Sequence, residues 1–87
     1  MHVLLTLDLP GASPEARKIF DEAMTKEKWK KLRGDATTTW TASFKSDLTD
    51  QDCVRITKAD VANSASAAGL SSFSAAIQVG PSAPTTF

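Results

Sequence analysis

Two capped helical stretches, each bracketed by runs of alternating apolar and polar residues, constrain this chain more than any other feature. The first bracket is HVLLTLDL at 2–9, where Val3, Leu5, Leu7 and Leu9 share one face and His2, Leu4, Thr6 and Asp8 the other. Pro10-Gly11 ends it. Ser13-Pro14-Glu15 then opens a helix: a hydroxyl to cap free amides, a proline suited to the first turn, and an acid at the positive helix end. Ala16, Ile19, Phe20, Ala23 and Met24 follow as one apolar stripe. At about 100° per residue Trp29 falls opposite Phe20, so a straight helix to Leu32 would carry Trp29 to solvent. The phase break predicts that the helix ends near Thr25–Lys28 and that Trp29–Arg33 is a short edge strand guarded by Lys30 and Lys31. A continued helix is the rival reading.

Gly34-Asp35 is a turn signal, and TTTWTASF at 37–44 is rich in β-branched and aromatic residues. Trp40, Ala42 and Phe44 alternate there with Thr37, Thr39, Thr41 and Ser43. Thr49 with Asp52 resembles a capping box, and Gly69 followed by Leu70 suits a left-handed helix end. These bound a second helix of about five turns, with Val54, Val61, Ala65 and Ala68 on one face. Taken alone, CVRIT at 53–57 would also read as strand; the caps decide for helix. Ser71–Val79 is the last strand, placing Phe73, Ala75, Ile77 and Val79 on one face.

The order strand, helix, strand, strand, helix, strand is that of α+β, ferredoxin-like βαββαβ folds: a two-layer sandwich of an antiparallel sheet with both helices on one face. The core face would carry Val3, Leu5, Leu7, Trp40, Phe44, Phe73 and Ile77. Residues 1–80 form the single domain and 81–87 a loose C-terminal tail.

With 87 residues, 41% of them apolar, the chain can bury one modest core. Ten basic and ten acidic side chains cancel, which removes the simplest case for a nucleic-acid protein. A lone Cys53 forms no internal disulfide, and no cysteine–histidine zinc pattern occurs. Met1–Leu9 lacks the form of a signal peptide, and no apolar run is long enough for a membrane span. A cytoplasmic protein is the expectation.

The open sheet face would hold His2, Leu4, Thr6, Asp8, Thr37, Thr39, Thr41, Ser43, Ser74, Ala76 and Gln78. It lacks the aromatics that stack bases in RNA-recognition modules of this architecture, and suits a solvated face or a sheet-to-sheet dimer. Asp8, its only acid, is either a ligand for Mg²⁺ or a strand-end acid facing water. About 20 Å of strand separates it from His2, so the two do not pair. In KEKWKKLR at 26–33, Lys26, Lys28, Lys30, Lys31 and Arg33 could meet phosphates while Trp29 stacks; the competing reading keeps Trp29 in the core and uses the lysines for solubility. Cys53 reads as a small packing residue beside Asp50 and Asp52.

VLLTLDLP at 3–10, an apolar first strand ending in an aspartate, together with the strand order, resembles the small ferredoxin-like CRISPR-adaptation nucleases and related toxin–antitoxin RNases. The resemblance implies a homodimer in which Asp8 of each subunit binds Mg²⁺ and cuts nucleic acid. The chain departs from that pattern in having no basic residues close behind Asp8 and a neutral total charge. The leading expectation is therefore a homodimeric, non-enzymatic binding or regulatory module with a protein partner and no cofactor. The metal-dependent endonuclease stands as the alternative.

Overall fold

A computed structural model of the chain describes residues 1–32 and 39–87. The Gly34-Asp35 turn, Arg33 and Thr37 lie outside the described residues. Alternation in the first segment yields β1 (His2–Asp8), with Val3, Leu5 and Leu7 buried and Thr6 and Asp8 exposed. The strand leaves through a turn at Pro10-Gly11. Gly11 takes φ +72 there, and the Ala12 amide donates to the Leu9 carbonyl at 3.2 Å. Proline followed by a positive-φ glycine is the signature of a type II turn. Helix α1 (Pro14–Lys26) starts from Ser13, whose hydroxyl accepts from the Ala16 amide at 3.1 Å.

The phase break after Met24 has a concrete cause. Lys28 adopts φ 69, its amide donates to the Thr25 carbonyl at 3.0 Å, and the Trp29 amide donates to the Met24 carbonyl at 3.1 Å. This pair of bonds is a Schellman ending, which reverses the chain and turns Trp29 inward. Trp29 is 3% exposed. The chain then enters β2 (Lys30–Lys31), shorter than expected, and the Leu32 amide extends its pairing to the Thr39 carbonyl at 2.8 Å. The third strand, β3, covers Thr39–Ser43.

Helix α2 (Asp50–Ala67) begins with the capping box formed by Thr49 and Asp52. It ends on the same motif as α1: Gly69 at φ +72, its amide bonded to Ser66, and the Leu70 amide bonded to the Ala65 carbonyl at 2.8 Å. Its buried stripe is Cys53, Thr57, Val61, Ser64 and Ala65, leaving Val54 on the flank. Thr57 can lie inside because its hydroxyl donates to the Cys53 carbonyl at 2.7 Å. The last strand, β4, is Ser74–Gly80, starting three residues later and ending one residue later than the alternation suggested.

The four strands order as β2-β3-β1-β4, every neighbouring pair antiparallel. Each β-α-β unit therefore spans its two strands around one strand of the other unit. Leu5 sits between Trp40 and Ile77 in register. Phe20 and Met24 of α1 and Cys53, Val61 and Ala65 of α2 join Val3, Leu5, Leu7 and Trp40 in one core, so both helices cover the same sheet face. Phe20 meets Trp40 edge-on at 6.4 Å, and Trp29 meets Phe44 at 6.2 Å. Each large side chain so buried contributes about 1.5–3 kcal/mol.

Two expected core residues stand apart from it. Ile19 is 45% exposed on α1, and Phe73 is 40% exposed just before β4. Phe73 borders a mainly apolar slot of about 390 Å³ between α2 and β4, lined also by Leu5, Lys58, Val61, Ala62, Ala75 and Ile77.

Candidate functional site

The sheet face opposite the helices gathers His2, Leu4, Thr6 and Asp8 from β1, Thr39, Thr41 and Ser43 from β3, and Ser74, Ala76 and Gln78 from β4. Lys30 joins them opposite Thr41. The hydroxyls are partly committed: Thr41 donates to the Val3 carbonyl at 2.8 Å, and Ser43 Oγ lies 3.2 Å from His2 Nδ1. Asp8 is exposed at the end of β1, opposite Ser74, in a shallow hollow with Thr6 and Ala76. His2 stands at the other end of the same strand, across from Gly80. The alternation placed these residues on one face as expected but does not converge them. Among the described residues, no three His, Cys, Asp or Glu side chains come together as a metal-binding group.

The basic segment is dispersed. Lys26 closes α1, Lys28 occupies its left-handed end, and Arg33 lies outside the described residues. Lys30 and Lys31 point to opposite faces by alternation. Lys31 turns toward the helices: its Nζ is 3.0 Å from Asp21 Oδ2 and 5.6 Å from the centroid of the Trp40 ring. Trp29 donates from Nε1 to Asp60 Oδ2 at 2.9 Å, which ties the start of β2 to the middle of α2. The indole is thus a core group with a satisfied polar edge.

Cys53 is fully buried. Beside it, Asp52 has its carboxyl held below the ordinary carboxylate range, chiefly by the Thr49 backbone amide, then by the Thr49 hydroxyl, with Arg55 at 3.5 Å adding a smaller part. Helix capping accounts for that shift without any ligand.

Charge is unevenly distributed along the chain. Asp60 is the last charged residue; positions 61–87 carry none. α2 from Val61 onward, all of β4 and the segment after it are therefore neutral, a boundary legible in the order of charged residues alone. Among the described residues no helix is long and apolar enough to cross a membrane.

No protein-family model matches the chain, and no curated protein or solved structure matches it.

Proposed function

We propose that this chain is a small cytosolic ferredoxin-like protein that works as a homodimeric, non-enzymatic binding or regulatory module. The observation that supports the reading best is the placement of both helices on one side of the sheet. The other side, which among the described residues carries hydroxyls and small side chains together with His2, Leu4, Gln78, one acid and one lysine, is left for a partner. The order β2-β3-β1-β4, with two interleaved β-α-β units, supports the ferredoxin-like assignment. A protein ligand suits such a surface better than a phosphate-rich one, because its lysine, Lys30, and its aspartate, Asp8, balance and leave the face without net positive charge.

A second reading rests on Asp8, whose carboxylate is exposed at the end of β1. In a metal-dependent nuclease, Asp8 from each of two subunits would hold Mg²⁺. Incubating the chain with RNA and DNA in Mg²⁺ or Mn²⁺, beside Asp8→Ala, separates the two. The binding module predicts no cleavage by either protein. Cleavage that disappears in Asp8→Ala would refute it in favour of the nuclease.

A further inference from the structure

The two edges of the sheet are built differently. Among the described residues the β2 edge is the two lysines Lys30 and Lys31, with one further bond from the Leu32 amide to Thr39. Short length and lysines are the usual means by which an edge avoids pairing with another chain. The β4 edge is seven residues long, SAAIQVG, with no charge, no proline and no charged residue anywhere after it. Alternate residues of such an edge turn backbone N–H and C=O groups outward.

We infer that β4 is a self-pairing edge, and that a second copy of this chain adds its own β4 antiparallel across a two-fold axis to give a continuous eight-stranded sheet. The inference rests on the homodimer in the proposed function and specifies its surface. Centring the pair on Ile77, the middle of the strand, sets Ile77 against Ile77 of the other copy, Ala75 against Val79, and Ala76 against Gln78. Helix-side residues meet helix-side residues, and the small Ala75 beside the apolar slot faces the larger Val79. No like charges face each other, and the zero net charge of the chain adds no repulsion between copies.

This arrangement has a consequence for Asp8. Asp8 aligns with Ser74 one strand in from the edge, so three strand spacings and six residues of offset would separate the two Asp8 side chains by about 25 Å. A shared metal ion and this dimer exclude one another.

The test is sedimentation equilibrium of the full chain from micromolar to sub-millimolar concentration. The expected wild-type mass is that of a dimer. Ala76→Glu with Gln78→Glu, and Ala76→Lys with Gln78→Lys, each put like charges opposite each other and should raise the Kd about tenfold or more. Mixing the two variants should restore a heterodimer, which also shows that both are folded. Ile77→Cys, oxidised with diamide, should link two copies through the axis, where the strand separation suits a disulfide; the buried Cys53 does not compete. A wild type that stays monomeric overturns the dimer and this edge together. A dimer unchanged in both charged variants overturns the edge alone and leaves the dimer standing.

Discussion

The β1-α1-β2 and β3-α2-β4 units share a plan and finish it in opposite ways. Each helix ends in a Schellman motif that throws the chain back toward an edge strand. In the first unit the left-handed residue is Lys28, and the next residue, Trp29, plunges into the core and bonds to Asp60. The edge that follows is short and charged. In the second unit the left-handed residue is Gly69, and the chain runs through Leu70 to an exposed Phe73 before β4 begins. That edge is long and neutral. The contrast teaches that the same helix ending can serve either to anchor an edge or to deliver an open one.

The strongest way to break this contrast is to remove the anchor. Trp29→Ala should cost about 3–5 kcal/mol, because it empties a buried site against Phe44 and leaves Asp60 without its donor. Phe73→Ala, the corresponding change in the second unit, should cost only about 1 kcal/mol, since Phe73 is partly in water already. Urea unfolding of both variants measures the gap; equal losses would mean the two edges are anchored alike.

A smaller effect probes the helix ends themselves. Gly69→Ala should destabilise by about 1 kcal/mol, purely through the backbone, because an added Cβ there meets no atom within 4 Å. Lys28→Gly should move the other way or stay level, by up to about 1 kcal/mol, since it relieves a side chain held at positive φ. Thermal melts of the pair would show whether the first unit tolerates real strain for its lysine.

The smallest effect separates the helix starts. Asp52 of α2 is shifted below its ordinary range, so its contribution is complete above the unfolded-state value and is lost as pH falls through the lowered folded value. Acid should therefore loosen the capping box at the start of α2, whereas the cap of α1 is the Ser13 hydroxyl, which carries no charge to lose. Hydrogen exchange at the first turns of the two helices, compared with Asp52→Asn, reads this directly.

Much of the fold was legible because its signals are local. Ser13-Pro14, Thr49 with Asp52, and Gly69-Leu70 bound their helices through bonds to residues a few positions away. The phase break at Trp29 was legible for the same reason, although the left-handed Lys28 that produces it leaves no mark in composition. What the sequence misplaced depends on distant partners. Ile19 and Phe73 look like core residues by spacing alone, but nothing packs over them closely enough to bury them. The candidate site was legible only as a face: alternation put His2, Asp8 and the threonines together, but strand length holds the two titratable groups at opposite ends. The basic run at 26–33 failed as a unit because a helix end and a strand divide its side chains among different directions.

The pairing of β1 with β4 joins His2 to Gly80, the first strand to the last. Contacts so distant along the chain make a fold slow to complete. β4 is the last of the four strands to be synthesised, so any chain that pairs β1 with β3 before β4 emerges has β1 bonded on one flank and bare on the other. For that interval the unfinished protein presents its central strand as an edge, open to any passing β4. The strand that would join two finished copies is also the one whose late arrival leaves each copy vulnerable to exchanging it.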